Sequence, residues 1–147
     1  TDRNYPDRPY VGVGVVVLHA DQVLLVQRGK PPRAGAWSIP GGAQHVGETV
    51  REAAIREVRE ETGVEIELFD LLDVVDTIRH DDNGRVQFHF TLVDFLGIWR
   101  GGAPVAGDDA CDCRWVPVGD IGHYGMWNET ERMIHLAVSR LALRRGG

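Results

Sequence analysis

Both ends of a helix are written into the segment TVREAAIREVREETG, Thr49 to Gly63. Thr49 followed by Glu52 is a capping-box pattern, in which a hydroxyl and a carboxylate satisfy the first free backbone N–H groups of a helix. Gly63 stands where a left-handed closing residue is wanted, a conformation glycine reaches without a Cβ clash. The spacing predicts a helix over Thr49 to Thr62. One side of it carries Val50, Ala53, Ala54 and Val58, which can pack on a sheet, while Glu57, Glu60 and Glu61 gather on another side.

Strand-like runs lie before and after this helix. YVGVGVVVLHADQVLLVQR reads as two strands joined by a tight turn at HAD, following a proline-bearing N-terminal arm. The stretch GKPPRAGAWSIPGGAQHVGE is dense in glycine and proline and reads as a long loop, a kind of segment that is usually functional in a small domain. Beyond the helix, VEIELFDLLDVVDTIRH and RVQFHFTLVDFLGIW flank DDNG, whose Asn-Gly pair predicts a hairpin. CRWVPV reads as a further strand. NETERMIHLAVSRLALRR reads as a second helix, with Met133, Ile134, Ala137, Val138 and Leu141 at helical spacing and Asn128 and Glu131 as its capping pair. Strands, a helix, more strands and a helix predict an α+β chain, a mixed β-sheet sandwiched between two α-helices.

The chain has 147 residues, 43% of them apolar and 26% charged, which fits one soluble domain over residues 1–147. Its formal charge of −6 argues against a nucleic-acid or anionic-membrane partner. No apolar run is long enough for a membrane span, the opening TDRNYPDRPY has no signal-like apolar region, and a cytoplasmic protein is expected. Cys111 and Cys113, two apart on one strand face, are expected to stay reduced thiols.

Three glutamates on one helix face repel one another, by a few tenths of a kcal/mol per exposed pair. The plain alternative is a solvated face in which Arg56 pairs with Glu60 and Glu52 with Arg56. The wider spacing favours a function: Gly42, five residues, Glu48, seven residues, Arg56-Glu57-Val58, then Glu60-Glu61 and Gly63-Val64. This pattern, spanning 23 residues, resembles the signature of the Nudix hydrolases at every defining position. WSIPGG before it and the order of strands around it extend the likeness over nearly the whole chain, implying the Nudix fold.

Magnesium, a hard cation, prefers oxygen ligands and keeps waters of its own, binding through a few carboxylates and substrate phosphates. Glu57 and Glu61 lie one helical turn apart and can reach common ions, and Glu60 flanks them. Ions bound there would turn mutual repulsion into attraction. The resemblance implies Mg2+, with Mn2+ possible in its place, and a metal set of Gly42, through its backbone carbonyl, with Glu57, Glu60, Glu61 and one acid from the later loop GDDACDCRW, for which Asp109 is the choice. It implies Glu57 or Glu60 as the general base, Arg56 completing the candidate catalytic set by positioning the glutamates, and Glu48 supporting the site from just before the helix.

For the substrate, Arg28 is a candidate phosphate ligand, with Lys30 and Arg33 behind it. Trp127 and Glu129, in HYGMWNET, resemble the base-stacking tryptophan and following acids of the oxidised-purine triphosphatases of this family; the competing account is helix capping by Asn128 with Trp127 as a hydrophobic staple. Trp37 is expected to pack on the sheet. The general likeness is to the ADP-ribose pyrophosphatase-like branch, although the proline that marks many ADP-ribose-specific members is missing from DTIRHDDNG, and the motif of NADH-specific relatives is also absent. The expected partner is a small nucleotide, the expected reaction cleavage of a nucleoside diphosphate derivative, with nucleoside triphosphate hydrolysis to monophosphate and pyrophosphate as the alternative. The family likeness allows a homodimer.

Overall fold

The computed structural model describes residues 3–30, 33–107 and 110–146. The strands are β1 (Tyr10–His19), β2 (Gln22–Arg28), β3 (Trp37–Ser38), β4 (Gly41–Ala43), β5 (Glu65–His80), β6 (Val86–Gly101) and β7 (Ala110–Pro117). The helices are α1 (Val50–Thr62) and α2 (Asn128–Gly146), with a 3-10 segment at Val118–Tyr124. One mixed sheet runs β3-β2-β1-β6-β5, with β7 added to β2 and β4 added to β1.

The sheet is sandwiched as its residues require. β1 runs parallel to β6 from Tyr10 opposite Phe90 to Leu18 opposite Ile98, and is buried on both faces, hence its near-continuous valines. Val13, Val15 and Val17 pack with Ala53, Ala54 and Val58 of α1. Val16 and Leu18 face the other way, onto Met133, Ile134, Ala137 and Leu141 of α2. The predicted mixed sheet between two helices is the architecture observed.

α1 matches its sequence signals closely. The Thr49 hydroxyl accepts from the Glu52 N–H at 3.0 Å and the Glu52 carboxylate accepts from the Thr49 N–H at 2.9 Å. Gly63 closes the helix at φ 74°.

Four details depart from expectation. The long Gly/Pro segment contains β3 and β4, because Gly12, Val13 and Gly14 of β1 recruit Gly41 to Ala43 into an antiparallel ladder. The DDNG connection is wider than an Asn-Gly two-residue turn: the Asp81 carboxylate accepts from the Asn83 and Arg85 N–H groups, and only then does β6 begin. At α2 the first backbone bonds run from Thr130 and Glu131 to the Trp127 carbonyl, so Trp127 occupies the cap position and Asn128 lies inside the first turn. Met126 is the buried apolar residue before this helix, whereas Trp127 is 45% exposed and is not its staple. Finally, a register break opposite Gln27 and Arg28 interrupts β7 between Asp112 and Ala110, so Cys111 and Cys113 lose the simple alternation; both are free thiols, the first exposed and the second buried.

Candidate active site

Helical geometry aims Glu57 at the sheet. It lies four residues after Ala53 and three after Ala54, both fully buried, so it stands at the edge of the packed face. A carboxylate there needs room, and Gly42 of β4 provides it. A Cβ built on Gly42 would fall 2.4–2.6 Å from the Glu57 carboxyl atoms, so any larger residue there would push that carboxyl out of its place. Burial, acting first, pushes the Glu57 carboxyl above its ordinary range, against the Arg56 hydrogen bond and charge that pull it down.

Arg56 organises the rest. Its Nε donates to Glu48 Oε2 at 2.5 Å and its Nη2 to Glu48 Oε1 at 2.9 Å, a two-point clamp. Nη1 donates to Glu57 Oε1 at 2.8 Å and to Glu60 Oε2 at 3.0 Å. Nη2 also donates to the Ala43 carbonyl at 3.0 Å, tying α1 to β4. All five N–H donors of the guanidinium are thus engaged. Glu48 also accepts from the His45 N–H at 3.0 Å. The Arg56 bonds first, and that backbone bond second, bring its carboxyl down to about 2. The expected Arg56–Glu60 pair is therefore present, while Glu52 turns back to cap the helix.

Glu61 reaches β4 by another route, its Oε1 accepting from the Gly41 N–H at 3.0 Å. Glu60 and Glu61 occupy the last turn of α1, where exposed carbonyls already present partial negative charge. The segment after β6 seals part of that end: the Val105 and Gly107 N–H groups donate to the carbonyls of Thr62 and Glu61. Gly107 lies so close that a Cβ on it would meet the Glu60 carbonyl at 2.4 Å. Sequence reasoning missed this contact, whose one signal is the glycine ahead of two aspartates. Asp108 and Asp109 themselves lie outside the described residues.

The donor set fits a hard divalent cation: carboxylate oxygens from Glu57, Glu60 and Glu61, beside a strand whose Gly42 leaves space against them. Among the described residues no three acidic, histidine or cysteine side chains form a finished cage. Arg56 holds one oxygen each of Glu57 and Glu60, and Gly41 one of Glu61, so the fold fixes where the ligands start.

The other candidates are placed elsewhere. Arg28 ends β2, exposed, with its backbone bonded to Gly35 and Ala36. Lys30 and Arg33 are exposed. Trp37 packs beneath the 3-10 segment, edge-on to Tyr124 at 5.1 Å, as expected for a packing residue. Asp112 pairs with Arg114 at 2.5 Å. Glu129 pairs with Arg132 at 2.6 Å, and Arg132 also holds Asp73 at 2.9 Å. Near them lies a residue that sequence reasoning passed over: Asp94 in β6, 7% exposed.

Comparison with known proteins agrees with this geometry. The chain is 33% identical over 113 residues to an ADP-ribose pyrophosphatase of Methanocaldococcus jannaschii, covering 77% of this chain and 64% of that one, so it spans a little under two thirds of that relative. It is 36% identical over 121 residues to a Mycobacterium tuberculosis protein named "Putative 8-oxo-dGTP diphosphatase 2", covering 82% of this chain and 81% of the relative. The crystal structure of a MutT NUDIX hydrolase from Burkholderia pseudomallei superposes with a TM-score of 0.76 at 29% identity, over 88% of this chain and 98% of that one. The NUDIX domain profile matches residues 8–137, the span that holds the sheet, the capped helix and its clamped glutamates, and the chain belongs to the NUDIX domain family.

Proposed function

We propose that the chain, as a single domain over residues 1–147, is a metal-dependent pyrophosphohydrolase that cleaves the diphosphate of nucleoside diphosphate derivatives, ADP-ribose-like substrates first. The observation that carries this is the Arg56 clamp. One guanidinium fixes Glu48, Glu57 and Glu60 together at the strand that Gly42 keeps clear, an arrangement of like charges that a solvated helix face has no need of.

Glu57, Glu60, Glu61, the Gly42 carbonyl and Asp109 are the proposed metal set, for Mg2+ with Mn2+ as a substitute. A divalent ion bound there neutralises the diphosphate and supplies a water of lowered pKa for attack at phosphorus. The chain's own share is positional. Arg56 fixes the direction of Glu57 and Glu60 and takes up charge that would otherwise splay them apart, and Glu48 fixes Arg56. Glu57 is the first choice for the base that accepts the water's proton: it is less exposed than Glu60 and lies against the strand that Gly42 keeps clear.

A second reading, hydrolysis of oxidised nucleoside triphosphates to monophosphate and pyrophosphate, is favoured by the name of the mycobacterial relative and by the exposure of Trp127. An aromatic ring 45% exposed at the start of α2, with Glu129 two residues on, can stack a base. Arg28 then remains a phosphate ligand proposed for either substrate.

The test is a nucleotide panel with magnesium, resolving products by chromatography. AMP plus ribose 5-phosphate from ADP-ribose supports the first reading, and pyrophosphate plus 8-oxo-dGMP from 8-oxo-dGTP supports the second. Glu57→Gln should remove turnover in both cases; full activity in that variant refutes the site.

A further inference from the structure

Asp94 is a carboxylate the fold has no use for. It lies in the middle of β6, with Val93 and Phe95 packed toward α1 and Leu96 toward α2. By alternation it faces α2. Across β1 it occupies space that Gly14 leaves open, for a Cβ on Gly14 would sit 2.5 Å from Asp94 Oδ1. Across β5 its partner is Asp73. Only 7% of the residue is exposed, and no described residue donates a hydrogen bond to it.

The cation nearest in electrostatic terms, Arg132, is bound to Asp73 and Glu129 instead. Asp94 therefore sits among two other acids and one committed guanidinium. A buried charged group without a donor is costly, and an apolar residue in that strand position would remove the cost. The same sheet face carries one fully buried polar atom with no partner among the described residues, Thr77 Oγ1, four residues beyond Asp73 on β5 and so about 13 Å along the strand. Between them the register places Val75 opposite Leu92, and Phe90 opposite Thr77. An apolar floor with a few fixed polar points is the composition of a small-molecule site.

This face is reached from the clamped glutamates across the three-residue strand β4. Gly41 pairs with Gly14, beside Asp94, and gives its N–H to Glu61. A nucleotide whose diphosphate lies at the glutamates can bring its nucleoside around that strand to Asp94.

We propose that Asp94 is a specificity residue of the nucleotide site, its carboxylate accepting N–H donors from the edge of an amino-bearing purine. The proposal rests on the hydrolase reading above for the identity of the ligand. The acidic surroundings decide the chemistry: Asp94, Asp73 and Glu129 outnumber Arg132, so this face favours the exocyclic amino donors of adenine or guanine over hypoxanthine, which offers N1–H alone beside its C6 carbonyl. Asp94 acts by selecting and orienting the base, and has no part in the chemical step.

The test compares the intact chain with Asp94→Asn and Asp94→Val on matched adenosine, guanosine and inosine diphosphate derivatives. The wild type is expected to favour an amino purine over hypoxanthine by about tenfold or more, as sites built to hydrogen-bond a substrate group do. Asp94→Val should erase that preference, with the change in KM rather than kcat, and should melt no lower than the wild type. Asp94→Asn, which keeps one acceptor, should fall between. An equal loss on all three bases, an unchanged preference, or a lowered melting point without a change in preference overturns the proposal in favour of a structural role. Should the wild type hydrolyse none of these compounds, the hydrolase reading fails on its own. Calorimetric titration with AMP, GMP and IMP then decides Asp94 separately: a preference lost in Asp94→Val supports it, and equal affinity or no binding overturns it.

Discussion

Replacing Arg56 by lysine keeps the charge and removes the fork, and so isolates what the clamp contributes. The guanidinium makes five hydrogen bonds, to Glu48 twice, Glu57, Glu60 and the Ala43 carbonyl. An ammonium has three donors, so at least two acceptors lose their partner. Charge-assisted bonds are worth roughly 1.5–3 kcal/mol each when sheltered, and the side chain of Arg56 is 19% exposed. Glu60, at 45%, is half in water, which lowers its share. A loss of about 2–3 kcal/mol follows, or roughly 5–10 °C in melting temperature for a domain of this size. Turnover should fall further than stability, by about a hundredfold, because a displacement of about 1 Å in a reacting group costs that much. Thermal melts and steady-state kinetics with magnesium measure both effects. A double-mutant cycle with Glu48→Gln should show losses at the two sites that are less than additive. A lysine variant with wild-type melting and wild-type kcat would refute the reasoning, since Arg56 would then be one more surface cation.

Gly42→Ala should cut activity by about a hundredfold with a smaller effect on folding, because Glu57 must retreat from a Cβ that would otherwise lie within 2.6 Å; activity within a few-fold of wild type would show that the Glu57 carboxylate is not needed where it lies. Trp127→Ala should raise KM for nucleotides severalfold and leave the melting point unchanged, since the ring is 45% exposed; a large drop in melting temperature would return Trp127 to a structural role. Acid titration of stability should show opposite contributions from two acids. Glu48, held down at about 2 by Arg56, contributes above the ordinary glutamate value of 4.5, and its contribution is lost as the pH falls from there toward 2, so in Glu48→Gln the acid side of the stability profile should flatten. Asp94 is raised from 3.8 to about 6 by burial first and by Asp73 and Glu129 next, against Arg132, so the fold holds its proton more tightly than the unfolded chain and loses stability as the pH rises through 4 to 6. Asp94→Val should accordingly gain up to about 3 kcal/mol at pH 7.5 and nothing below pH 3.5, as chemical denaturation at the two pH values would reveal.

What could be read from the sequence was what local rules govern. α1 is fixed by Thr49, Glu52 and Gly63, each acting within a few residues of itself, and the prediction and the structure agree to one residue at its start. The long strands β5 and β6 followed from their apolar periodicity, but the width of the turn between them did not, because the Asp81 side chain competes with the Asn-Gly pair for the backbone. β3 and β4 are too short to carry a pattern; their pairing is supplied by β2 and β1, from outside the segment. The start of α2 was misread by a residue or two because Asn128 and Glu131 imitate a cap where the Trp127 carbonyl already opens the helix. The glutamates were legible because a spaced pattern of charges recurs in one helix, whereas Asp94 was not: it stands alone inside the strand-like run RVQFHFTLVDFLGIW, and only the packing of the folded sheet buries it.

Two kinds of carboxylate therefore flank the same short ladder, and the fold treats them oppositely. On the α1 face Gly42 yields space to Glu57, and an arginine with every donor engaged compensates the charge. On the α2 face Gly14 yields space to Asp94, and Arg132, whose charge acts on it, is committed to Asp73 and Glu129. A fold selected for stability alone would pair or remove the second acid as it pairs the first, since an unanswered buried carboxylate costs more than an apolar side chain of its size. The asymmetry has a simple reading if both faces serve one ligand. The clamped acids must keep their geometry while the phosphate end is bound and cleaved, which requires permanent partners; the unclamped acid has to recognise the other end of the molecule, which requires that its partner be the ligand itself.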